Sequence, residues 1–156
     1  MVGDATRHEL FLKTYLFIDQ TVRILGTHVN VQSMVALPNG DLVSGSSSDG
    51  SIKIWDTTTG LVKQTLSDNR SSIECMAILP NQYGGLASGS NDFKIRIWNV
   101  TSGQVLRVLS GHTDWVISLA VLPGGLLASG SRFRDYSIKI WNLETGKVKA
   151  TIAYHE

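Results

Sequence analysis

The stretch LLASGSRFRDYSIKIWN, residues 126–142, runs from a strand of small residues through an Asp-bearing turn into a strand ending in Trp-Asn. Two shorter relatives precede it, LVSGSSSDGSIKIWD at 42–56 and LASGSNDFKIRIWN at 86–99. Trp55, Trp98 and Trp141 stand 43 residues apart each time. One unit is therefore written three times, and function has to be argued from what such an array can do.

Working outward, each unit reads as four short strands. In the first they fall at 31–37, 42–46, 52–55 and 61–66, separated by Pro38-Asn39-Gly40, Ser48-Asp49-Gly50 and Thr59-Gly60. The second has strands at 73–79, 85–90, 94–98 and 105–109, and the third at 116–122, 126–131, 137–141 and 148–152. Pro38, Pro80 and Pro123 mark one corner of each unit, and Gly60, Gly103 and Gly146 another. Ahead of them, 15–18 and 21–25 resemble the last two strands of a degraded unit, and 1–13 is a lead-in without a clean period. A lone four-stranded sheet cannot bury both faces, so such units must stack on one another.

Bulk properties narrow the function classes. The chain has 156 residues, 42% hydrophobic and 17% charged, which suits a folded domain rather than a disordered one. A formal net charge of +1 gives no electrostatic footprint for nucleic acid. A single cysteine, Cys75, forms no internal disulfide and aligns with Ser33 and Ser118, so it reads as a small core residue. Glu9, Lys13 and Asp19 interrupt the apolar pieces near the N-terminus, and no run approaches the length of a membrane span or signal core. An intracellular setting, cytoplasmic or nuclear, is expected.

These units resemble WD repeats, with Gly111-His112 near the start of the third and Trp55-Asp56 at the end of the first. Trp98-Asn99 and Trp141-Asn142 are variants of that ending. The resemblance implies an all-β fold of propeller blades: a partial blade at 14–25, blades at about 26–66, 67–109 and 110–152, and the start of a further repeat at 153–156. Three full blades are short of the usual closed ring. The chain is thus expected to be a segment of a longer protein or to self-associate through its uncovered end blades.

The resemblance also implies a structural tetrad in each blade. In the third, His112 would bond Ser129, Ser129 would bond the Trp141 indole, and Asp135 would close on the histidine. His28, Ser44, Trp55 and Asp49 take those roles in the first. The second keeps Ser88, Trp98 and Asp92 but has Asn69 in the histidine's place. Ser, His and Asp also compose a hydrolase triad. A nucleophile is needed once, however, whereas this set recurs with the blade and survives loss of its histidine, and no G-x-S-x-G elbow is present. His8, His28, His112 and His155 lie too far apart for metal-ligand spacing, and no phosphate loop is present. No cofactor, metal or catalytic residue is expected.

The three copies differ most between the Ser-Gly-Ser triplet and the next strand. The second has the shortest turn, 91–94; the first is one residue longer and the third two longer, its extra length falling in Arg132-Phe133-Arg134. Two guanidiniums and an aromatic on a loop tip suit acidic or phosphorylated peptides. With Trp115, Arg70 and Asn69, expected on the same loop face, they form the candidate docking surface. The leading expectation is a non-catalytic scaffold or adaptor with protein or peptide partners. A regulatory or targeting segment of a larger enzyme, such as a ubiquitin-ligase substrate receptor or a kinase-linked protein, stays open, as does an RNA-contacting propeller.

Overall fold

A computed structural model describes residues 15–18, 21–24, 28–68 and 71–153. Its elements are all strands apart from one short 3₁₀ helix. An N-terminal hairpin joins β1 (Tyr15–Ile18) to β2 (Thr21–Ile24). The first blade is β3 (Val31–Ala36), β4 (Leu42–Ser46), β5 (Ile52–Trp55) and β6 (Val62–Leu66). The second is β7 (Ile73–Ile78), β8 (Gly85–Ser90), β9 (Lys94–Asn99) and β10 (Val105–Ser110). The third is β11 (Val116–Leu122), β12 (Leu126–Ser131), β13 (Ser137–Asn142) and β14 (Val148–Ala153). Every blade is an antiparallel meander paired in chain order, so the chain is an incomplete propeller. Among the described residues no helix is long and apolar enough to cross a membrane.

Strand alternation sorts the side chains into two faces. On the face towards the following blade, Val43, Ile52, Ile54 and Leu66 of the first blade pack on Ile73, Met76, Leu86 and Trp98 of the second. Cys75, Ala87, Ile95, Ile97 and Leu109 of the second pack likewise on Val116, Leu127 and Trp141 of the third. The tryptophans thus face back along the array and the paired isoleucines face forward. Burial pushes the Cys75 thiol up to about 12, in keeping with an inert core group.

Two sequence features become intelligible here. The Ser-Gly-Ser glycine is small because the next blade's first strand presses on it: a Cβ at Gly45 would sit 2.6 Å from the Ile73 Cγ2, and one at Gly89 2.7 Å from the Val116 Cγ1. The residue after each Trp opens the following turn. Asp56 Oδ1 accepts the Thr58 and Thr59 amides at 2.8 and 2.9 Å, and Asn99 Oδ1 accepts those of Thr101 and Ser102 at 2.9 and 3.0 Å. The turn needs only an acceptor oxygen, so Asn can open it in place of Asp. Observed strands differ from the sequence expectation by a residue at several ends. The unforeseen element is the 3₁₀ helix Asn81–Tyr83, which fills a longer turn in the second blade and ends at Gly84 with φ 109°.

Candidate functional site

Three polar networks span the blades, and they are not copies. In the third, the Trp141 indole N–H donates to Ser129 Oγ at 2.7 Å, and Ser129 Oγ lies 2.6 Å from His112 Nε2. His112 Nδ1 is 2.5 Å from Asp135 Oδ2, and the Ser137 hydroxyl donates to the other carboxylate oxygen. A neutral ring protonated on Nδ1 satisfies every member. In the first, Trp55 donates to Ser44 Oγ at 2.7 Å, and Ser44 lies 2.7 Å from His28 Nδ1. Asp49 does not close on the histidine as expected. Ser51 stands between them, 2.8 Å from His28 Nε2 and donating to Asp49 Oδ1 at 2.8 Å. The turn before Ser51 carries the first blade's Asp49 one hydrogen bond short of the ring.

In the second blade Trp98 donates to Ser88 Oγ at 2.8 Å. Its Asp92 pairs instead with the buried Arg96, whose Nη2 donates to Asp92 Oδ2 at 2.7 Å and whose Nε donates to Asp68 Oδ2 at 2.8 Å. Arg96 occupies the strand position held by Lys53 and Lys139 in the sister blades. A guanidinium between two carboxylates thus closes the rim of this blade. Asn69 and Arg70 lie outside the described residues.

Burial holds His28 and His112 below the ordinary imidazole range, with Lys53 adding to the effect at His28 and Asp135 opposing it at His112. Burial would raise Asp135, but bonds from Ser137, the Thr113 amide and His112 outweigh it and hold the carboxyl low. Ser129 is 1% exposed and already receives the tryptophan N–H. A hydroxyl so enclosed and so occupied has no approach for a substrate carbonyl, which argues for register and against nucleophilic chemistry.

The loop face of the third blade is built differently. Asp114 accepts the Trp115 amide at 2.7 Å on one oxygen and the Arg134 amide at 3.0 Å on the other. The Ser131 hydroxyl donates to the Asp114 and Trp115 carbonyls at 2.9 and 3.0 Å, and the Arg132 amide to the Trp115 carbonyl at 3.1 Å. The inserted turn is thereby clipped to the loop that enters β11. On this frame the Arg132 guanidinium lies 4.6 Å from the Trp115 ring centroid and 5.8 Å from that of Phe133. Phe133 meets Tyr136 edge to face at 6.0 Å.

Trp115, Arg132, Phe133 and Tyr136 thus form a ladder of alternating ring and cation contacts. Phe133 is 69% exposed and Tyr136 54%. Arg134 contributes its backbone to the frame. Sequence reading missed Asp114 and Tyr136. Tyr136 occupies the turn position of Gly50 and Phe93, and all three are left-handed, with φ of 46°, 68° and 70°. An aromatic held where glycine is favoured was the available signal.

Comparison with known proteins agrees with this architecture. A family model described as WD domain, G-beta repeat matches residues 19–56, 60–99 and 103–142. Among solved structures, the chain is similar to a structure of U3-55K, with TM-score 0.74 and 29% identity over 84% of this chain and 41% of that one. A crystal structure of the RRP9 WD40 repeats gives TM-score 0.73 and 29% identity, again over 84% and 41%. The chain therefore spans about two fifths of the length of these neighbours. WD40 arrays generally act as non-catalytic scaffolds for protein interaction. With the repeat matched three times over most of its length and the blades stacked in the same manner, the chain belongs to the WD40-repeat family.

Proposed function

We propose that the chain is a non-catalytic interaction module whose third-blade loop face docks peptides carrying acidic or phosphorylated residues. The observation that carries this reading is Arg132, whose guanidinium lies over the Trp115 ring at 4.6 Å and 5.8 Å from the Phe133 centroid and has no carboxylate partner among the described residues. A guanidinium held by rings rather than by a carboxylate keeps its N–H donors for a carboxylate or phosphate of a partner. Phe133 and Tyr136 beside it supply apolar area at little entropic cost, as interface anchors do. The reading goes with an intracellular setting, cytoplasmic or nuclear, and would hold equally for a docking segment within a larger enzyme.

The test is fluorescence anisotropy of the purified chain with three labelled peptides of one backbone sequence, bearing Glu, Gln or phosphoserine beside a Leu. The charged peptides are expected to bind at least about tenfold tighter than the Gln peptide. Replacing Arg132, Phe133 and Arg134 together by Ala, Ser and Ala should erase that preference while thermal melting is kept. Equal binding of all three peptides would overturn the reading. Tight, steeply salt-dependent binding of a single-stranded oligonucleotide in their place would move it to RNA, since stacked rings and arginines also suit bases.

A further inference from the structure

Two aromatic residues stand at turn positions that favour glycine, in neighbouring blades. Phe93 of the second blade and Tyr136 of the third are left-handed at φ 70° and 46°, where the first blade has Gly50 at 68°. Gly50 shows that this turn closes without a side chain at that position. The Phe93 amide donates to the Ser90 carbonyl at 3.2 Å and the Tyr136 amide to the Arg132 carbonyl at 2.9 Å, so backbone bonds close both aromatic turns as well. The rings meet solvent, Phe93 39% and Tyr136 54% exposed. Strain kept at two exposed rings, where the turn itself asks for neither, marks residues held for contact.

Trp115 bridges the gap between them. The Arg132 amide donates to the Trp115 carbonyl as the Asn91 amide does to that of Ser72, at 3.1 and 3.2 Å. Trp115 is thus the counterpart of Ser72, whose hydroxyl reaches back 2.6 Å to the Ser47 carbonyl in the turn of the blade before. From that register a side chain leaves the backbone towards the preceding turn, which for Trp115 is the second blade's 91–93. Arg132 lies over the Trp115 ring. Along the loop face the order is therefore Phe93, then Trp115 under Arg132, then the Phe133–Tyr136 pair. One cation stands between two exposed apolar patches.

We propose, on the basis that Arg132 receives an acidic residue, that the occupant is an extended peptide segment of the pattern apolar, any, acidic, any, apolar. Packed sheets lie about 10 Å apart, and the blades of a propeller fan outward from that spacing. An extended chain advances about 3.3 Å per residue and points alternate side chains to one face. The residues two before and two after the acid therefore share its face and stand about 13 Å apart, which takes one to Phe93 and the other to the Phe133–Tyr136 pair. Apolar residues directly beside the acid would point away from the surface.

Fluorescence anisotropy of the purified chain tests this with labelled peptides built on the core Leu-Ser-Glu-Ser-Leu. Replacing either leucine by serine should weaken binding about tenfold, and moving both beside the acid, as Ser-Leu-Glu-Leu-Ser, should weaken it at least as much. Phe93→Gly adopts the turn of the first blade, and Phe93→Asn keeps the left-handed backbone under a polar side chain. Each should cost the full core about tenfold, make one of the two serine replacements silent, and leave the preference for Glu over Gln in place, with thermal melting retained. Binding indifferent to both leucines, to their spacing or to Phe93, with Glu still preferred over Gln, would overturn the pattern and leave acidic docking at Arg132 standing. Equal binding of the Glu and Gln forms would overturn both.

Discussion

The second and third blades share strand order, tryptophan, serine triplet and turn aspartate, yet differ in what each can be used for. The second is clasped on both faces and closed at its rim by Arg96 between Asp68 and Asp92. The third has one face sealed and one open, a histidine network, and a lengthened turn that presents rings and a cation. A repeated frame leaves individuality to the places where neighbours stop constraining it, here a loop tip.

The sharpest way to break this comparison is to truncate equivalent aliphatic residues. Leu109→Ala should cost about 2–5 kcal/mol, since it opens a cavity at the second junction. Ile152→Ala, at a position 59% exposed, should stay within about 0.5 kcal/mol. Equal losses in urea denaturation would mean that the third blade is not open in solution.

The polar rim gives the next largest difference. Arg96→Ala leaves two carboxylates without their shared cation. Breaking a sealed ion pair costs about 3–5 kcal/mol, but the Asp68 side chain is 43% exposed and will rehydrate, so about 2 kcal/mol is expected. Lys139→Ala at the same position of the third blade removes a donor to an exposed Thr151 and a like charge that disfavours protonated His112, and should be nearly neutral. Comparable losses for the two would show that Arg96 does no more than an ordinary surface lysine.

How much of this was legible beforehand follows from the range of each interaction. Strand order and blade stacking were readable because small residues, turn residues and Trp recur at a fixed period, and period is what a single sequence displays, whereas the Trp–Ser bonds were expected only from the resemblance to WD repeats. The Asp114 clip, the Arg96 bridge and the turn through Asn81–Tyr83 were not. Each joins residues from different loops or replaces one side chain by another of unlike shape, and nothing periodic marks such a pairing. The cluster around Arg132 was found only in part: the inserted residues stood out by length, whereas Tyr136 is marked only by standing where the first blade has Gly50.

The two kinds of rim should also separate in mild acid. His28 and His112 are held neutral in the folded chain and below their ordinary range, chiefly by burial. Once unfolded they take up protons near pH 6.5. The unfolded state then binds more protons, so their contribution is fully present above about pH 6.5 and is lost as pH falls through the folded values. Asp135, held low, gives up its share only below the ordinary carboxylate range. Hydrogen exchange of β5 and β13 should therefore quicken between pH 7.5 and 5.5, beyond the intrinsic pH dependence of exchange, more than that of β9, where Arg96 keeps its charge. His112→Asn should lower stability at pH 7.5 and flatten this slope in β13. A slope equal in all three blades would remove the distinction.

The smallest effect is the most informative about the loop. Tyr136 sits at φ 46°, where a side chain costs about 1–2 kcal/mol. Its equivalent in the first blade, Gly50, takes the same conformation freely. Tyr136→Gly should therefore relieve that strain and give back about 0.5–1 kcal/mol of it through the greater freedom of glycine in the unfolded chain. A net gain near 0.5 kcal/mol is expected in thermal melts, together with weaker binding of the acidic peptides, because Phe133 loses the ring that braces it. Backbone strain kept at an exposed aromatic, when the first blade shows the relaxed alternative, is the pattern of a residue retained for contact rather than for folding. Loss of stability on Tyr136→Gly, with peptide binding intact, would instead make Tyr136 a packing residue and leave the ladder ending at Phe133.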